Sequence, residues 1–135
     1  MNPTKMTLAA LAAALSFALT AAADTTLPPA STKTGVTYAT DLKPIFDANC
    51  AKCHGGDKPK AHLHMDTLEG ILKGTKHGPI VTVGDSANSV IVKAVAHTAA
   101  DKDDWMPPAP NKAGAKTLTA DEVGLVRAWI DQGAK

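Results

Sequence analysis

Cys50-Ala51-Lys52-Cys53-His54 sets two thiols three residues apart and an imidazole directly after the second. Three chemistries use such a cluster. A redox disulfide would close Cys50 onto Cys53, but that motif works in a β-α-β setting, and only a few short runs of this chain could be strands. A zinc site needs four ligands, and although His62 and His64 could supply two, there is no second cysteine pair. Covalent haem attachment uses this spacing directly: each thiol adds to one vinyl group, and the next residue brings an imidazole nitrogen to the iron. On a helical turn Cys50 and His54 stand at i and i+4, so they share a face. We read Cys50 and Cys53 as the attachment points of one haem c and His54 as an axial ligand of its iron.

A second axial ligand must come from elsewhere, and its type sets what the iron can do. Met106 sits in Trp105-Met106-Pro107-Pro108, where the two prolines hold the thioether outside any helix. Met65 is the rival; it alternates with Leu63 and precedes Asp66, which reads as core packing. His62, His64, His77 and His97 are formal bis-histidine candidates without the proline frame of Met106, and read as surface groups or neighbours of the haem carboxylates.

Helices must position these groups. Leu42, Ile45, Phe46 and Asn49 follow helical spacing, with Thr40 or Asp41 as cap and Pro44 in the first turn, so a helix delivers the chain to Cys50. A short helix is expected over Thr67–Lys73, capped by Asp66 and stopped by Gly74. Another should open at Asp85 or Ser86 and carry Val90, Ile91, Ala94 and Val95 on one face. Residues 97–115 hold three prolines and read as a loop containing Met106. The last helix has the capping-box pattern Thr119 to Glu122, an apolar stripe through Val123, Val126, Trp129 and Ile130, and Gly133 as its end. The fold class is all-α, small and loop-rich.

Ahead of this, Lys5, the apolar run from Met6 to about Leu19 and Ala21-Ala22-Ala23 form a cleavable secretory signal over residues 1–23. The apolar run is shorter than the ~20 residues a span needs, so no stable membrane span is expected after cleavage. Residues 24–35 read as a flexible leader, and 36–135 as one domain. The 135 residues carry 14 Lys plus Arg against 13 Asp plus Glu, a net charge of +1 that excludes a nucleic-acid partner held by phosphate neutralisation. Five aromatic residues, one of them Phe17 in the signal, leave the core short of large flat side chains.

With these motifs in place, the chain resembles class I monohaem c-type cytochromes, and most closely the planctomycete-type cytochrome c domain. The matching stretches include Tyr38 with Leu42 to Phe46, Cys50 to Gly55, Leu63 to Asp66, Gly78-Pro79, Val83-Gly84-Asp85, Met106-Pro107-Pro108 and Leu118 through Ala134. His64 stands where the family often has Arg, and Val83 where it often has Pro. The resemblance implies a small cytochrome c-like helical fold wrapped around haem, with His54 and Met106 as axial ligands. The expected function is an exported, periplasmic carrier of single electrons working with a periplasmic redox protein. Two alternatives are a haem c subunit of a periplasmic oxidoreductase complex and, if Met106 does not ligate iron, an open-site haem sensor or peroxidase.

Overall fold

Thr37 accepts a hydrogen bond from the Thr40 amide and starts a wide helical turn, Tyr38–Leu42, that runs without a break into α1 (Lys43–Asn49). Pro44, the second residue of α1, donates no amide hydrogen bond and stands at the junction of the wide turn and the α-helix. The cap is thus Thr37 rather than Thr40 or Asp41, because the wide turn moves the helical start several residues upstream. The computed structural model describes residues 26–135; the expected signal over 1–23 and the start of the leader lie outside them.

Three further helices follow: α2 (Leu68–Lys73), α3 (Val90–Val95) and α4 (Ala120–Asp131). The cap of α2 is Thr67, whose hydroxyl takes the Gly70 amide at 3.1 Å. The expected cap, Asp66, instead accepts from the Gly56 amide, which ties α2 back to the cysteine motif. α3 begins at Val90, later than expected, because the side chains before it are used in turns. Asp85 takes both the Asn88 amide and its side chain, Ser89 Oγ takes the Thr82 amide, and Ser86 is held by Asp131. Within the long loop the structure adds one 3-10 turn, Lys102–Asp104, capped by Asp101. α4 has the full capping box, with Thr119 and Glu122 exchanging side-chain-to-backbone hydrogen bonds. Among the described residues there is no strand, only an isolated bridge between Thr75 and Gly78.

α4 is the spine of the core. Its Val123, Val126, Trp129 and Ile130 are fully buried, and Leu42 and Phe46 join them there. The wide turn and α3 both pack on α4, and the Tyr38 amide and the Trp129 indole converge on the Lys135 carbonyl. Residues 26–35 lie as a strap against α4. Leu27 packs against the core, the Ser31 amide bonds to Gly124, Arg127 to Pro28, and Gln132 to Lys33. A side chain at Gly124 would stand 2.8 Å from the Pro29 carbonyl, so a glycine inside α4 is what lets this strap lie against it. No helix of the described residues is long and apolar enough to cross a membrane.

Candidate functional site

The last turn of α1 does not unwind at Asn49. Cys50 and Ala51 both donate to the Phe46 carbonyl, and Cys53 and His54 both donate to Cys50, so the whole motif is wound as consecutive turns with its side chains gathered on one side. No disulfide joins Cys50 to Cys53. Cys50 is buried, and burial, with the neighbouring Cys53, pushes its thiol up to about 12; it is a neutral group suited to an apolar wall.

His54 Nδ1–H donates to the Lys60 carbonyl at 3.0 Å, while the Lys60 amide donates back to Cys53 at 2.9 Å. The first bond fixes the imidazole tautomer, leaving the lone pair on Nε2. Burial holds the His54 pKa below the usual imidazole value, against the pull of the Lys60 hydrogen bond, so the neutral ligating form is favoured. Two residues of the turn that presents Lys60, Ala61 at φ 56° and His62 at φ 57°, lie in the left-handed region that non-glycine residues avoid. They are kept there by the Leu63 amide on Lys60 and the Lys76 amide on Ala61. The sequence reading missed this carbonyl, because a backbone acceptor leaves no residue-type signal.

Met106 is held through its backbone. Its amide donates to Ala94 of α3 at 3.0 Å, and its carbonyl accepts from His97 Nε2 at 3.1 Å. The His97 ring stacks on Trp105 with centroids 5.0 Å apart, and the Trp105 indole donates to Ala99 at 3.0 Å. His97 therefore braces the loop that carries Met106, a role its sequence position did not suggest. Met65 is more deeply buried and belongs to a different wall: its amide donates to the His54 carbonyl.

Cys50, Cys53, His54, Met65 and Met106 all border one cavity of about 790 Å³. Its size lies in the range of cofactor sites, and its walls are mainly apolar, with Leu63, Ile80, Ile91, Val95 and Pro107 among them. The donor set and the apolar lining fit haem c: two thiols at the attachment spacing, a neutral imidazole with a free nitrogen, and a thioether. Of the other histidines only His77 borders the cavity. His62 and His64, weighed as zinc ligands, do not, and no group of three or more His, Cys, Asp or Glu among the described residues could hold a metal ion. Asn49, which the sequence placed only on the helix before Cys50, and Asn111 border it as well. Each is engaged with backbone, Asn49 taking the Lys116 amide and Asn111 the Ala115 amide.

The match to a family model agrees with this chemistry. The model of the family described as Planctomycete cytochrome C matches residues 50–110. A chain of the solved Kuenenia stuttgartiensis hydrazine synthase is similar at 25% identity and a TM-score of 0.49, over 73% of this chain and 16% of that one. This chain thus spans a small part of that protein. A search of the curated proteins finds no match.

Proposed function

Residues 50–110 match the planctomycete cytochrome c family, and from that premise we propose that the chain is an exported, periplasmic monohaem electron carrier, with Cys50 and Cys53 as thioether attachments and His54 and Met106 as axial ligands. Haem c supplies one-electron exchange between Fe(II) and Fe(III) when bound. The residues do the rest. The wound Cys50–His54 segment fixes the attachment points relative to the imidazole, the Lys60 carbonyl keeps His54 in the ligating tautomer, and the apolar walls limit water around the site. Met106, as the second ligand, would close the bound iron to small ligands and favour its reduced state, which suits electron transfer rather than substrate chemistry.

The observation that carries this reading is the convergence on one apolar cavity of both thiols, an imidazole with its tautomer set, and a thioether on a braced loop. The test is the absorption spectrum of the purified protein, oxidised and reduced, with the pyridine haemochrome and acid–acetone extraction. A thioether-type haemochrome, haem retained with the polypeptide, and a low-spin reduced form that ignores carbon monoxide are expected. Haem in the organic phase overturns covalent attachment. A high-spin protein that binds carbon monoxide turns the assignment to an open-site enzyme or sensor.

A further inference from the structure

The cavity has few charges on its walls. Apart from His54, which is committed to Lys60, the basic side chains that border it are Lys93 and His77, and the acidic one is Asp104. Lys93 is half-buried on α3, and its ammonium has no hydrogen bond or ion pair among the described residues. The nearby acid Asp85 feels its charge, but that carboxylate is already taken by Asn88, with the side-chain amide at 2.7 Å. The His77 imidazole is likewise without a partner among those residues, although its backbone amide is bound by Thr75 Oγ1 at 3.0 Å. Half-buried Lys93 and exposed His77 thus leave two unpartnered basic side chains at the edge of an apolar cavity, where an anion would meet them.

The turn that carries His77 is rigid. Thr75 and Gly78 exchange backbone hydrogen bonds at 2.9 and 3.1 Å, Thr75 Oγ1 also reaches the Gly78 carbonyl, and Lys76 is anchored to Ala61. Gly74 enters the turn at φ 81°, where a side chain would stand 2.5 Å from the Gly78 carbonyl. The Ile91 amide on the Ile80 carbonyl ties the segment after this turn to α3, the helix of Lys93. The cysteine end of the cavity is bounded differently, by the 111–116 loop, through Lys52 Nζ on the Ala113 carbonyl and the Lys116 amide on Asn49.

Haem carries two propionate carboxylates, set on the macrocycle away from the vinyl groups that cysteines capture. We propose that Lys93 on α3 and His77 on the Thr75–Gly78 turn form the carboxylate-receiving end of this cavity and hold the haem propionates. The inference rests on the haem c reading. Asp104 repels a carboxylate from its own stretch of wall, and the reading of His64 as a propionate neighbour is not carried forward, since His64 does not border the cavity.

Resonance Raman spectra of the purified holoprotein test it through the propionate-bending band, alongside the reduction potential. Lys93→Gln and His77→Phe should each shift that band, Lys93→Gln should lower the potential, and Lys93→Arg should restore both. Lys52→Gln and Lys116→Gln, at the cysteine end, should leave the band in place. A band unmoved by Lys93→Gln and His77→Phe in a protein that keeps covalent haem overturns this inference alone, as does a shift on the cysteine-end variants only. A wild-type protein without covalent haem overturns the haem c reading and this inference with it.

Discussion

Met65 and Met106 both bring a thioether to the cavity, and the backbone behind each separates their roles. Met65 hangs from the strand of chain bonded to the His54 carbonyl, so it extends the wall that already carries the imidazole, whereas Met106 hangs from a loop bonded to α3. Replacing Met106 by Ala should give a high-spin or water-ligated ferric protein that binds carbon monoxide once reduced. Met106→His should stay low-spin at a lower potential, because imidazole stabilises Fe(III) more than a thioether does. Met65→Leu, a near-isosteric swap in a buried site, should cost under about 1.5 kcal/mol and leave the spectrum alone. Loss of the near-infrared sulfur-to-iron band in Met65→Leu, with the band intact in Met106→Ala, would falsify the ligand assignment while sparing covalent attachment. The cysteine motif was legible in the sequence because attachment chemistry is local: two thiols and an imidazole within five residues admit few uses. Lys60 was not legible, since its part is played by a carbonyl that every residue has.

Between residues and fold, the elements differ in how much of their placement the sequence discloses. α4 is read correctly because cap, stripe and stop all agree. α3 is shorter than its apolar pattern because Asp85, Ser86 and Ser89 satisfy backbone groups as turns. His97 shows a third case, a non-glycine residue at φ 56° just past α3, kept there by its stacking on Trp105 and its bond to Met106. His97→Gly relaxes the backbone by about 1 kcal/mol but removes a stacking contact and a hydrogen bond of about 1 kcal/mol each, so Tm should fall modestly. The Met106 loop loses its brace all the same, and the sulfur-to-iron band should weaken with faster carbon monoxide binding to the reduced protein; an unchanged band and rate would exclude a positioning role. The strap over residues 26–35 gives little signal in the sequence, because its polar residues have no periodicity and dock largely through backbone groups. Asp41 secures its end, accepting from Lys33, from the Thr37 amide at 3.0 Å and from Thr40, and these bonds lower its pKa from 3.8 to about 2. A depressed carboxylate pKa stabilises the fold above the unfolded value and ceases to do so as pH falls through the folded one. Asp41→Asn should therefore melt below wild type at neutral pH, and thermal scans should show the gap closing between pH 3.8 and about 2. A gap that persists at lower pH would mean the carboxylate charge is not what holds the strap.

At the scale of the whole molecule, composition gave the earliest sign that the polypeptide does not fill its own centre. Tyr38, Phe46, Trp105 and Trp129 are the aromatic residues of the described chain, and only Phe46 and Trp129 are completely buried. Both sit on the side built by α1 and α4, and on the other side the walls surround about 790 Å³. The helical class was legible from periodicity, but the way α3, the 75–80 segment and the Met106 loop enclose one space was not, because the partner they close around is absent from the amino-acid pattern. Apolar walls around a space of this volume lose their packing partner when haem is absent. A domain of this size is stable by only about 5–15 kcal/mol, so the haem-free chain should be markedly less stable than the holoprotein. Cys50→Ser combined with Cys53→Ser removes the covalent hold while preserving size and hydrogen-bonding capacity. The expected product is a chain with reduced far-ultraviolet helicity, no cooperative thermal transition and rapid digestion within residues 75–115, in contrast to a sharply melting, protease-resistant wild type. If the double variant, freed of haem, melts as cooperatively as wild type, then the core is self-sufficient and haem is a guest in the fold rather than its centre.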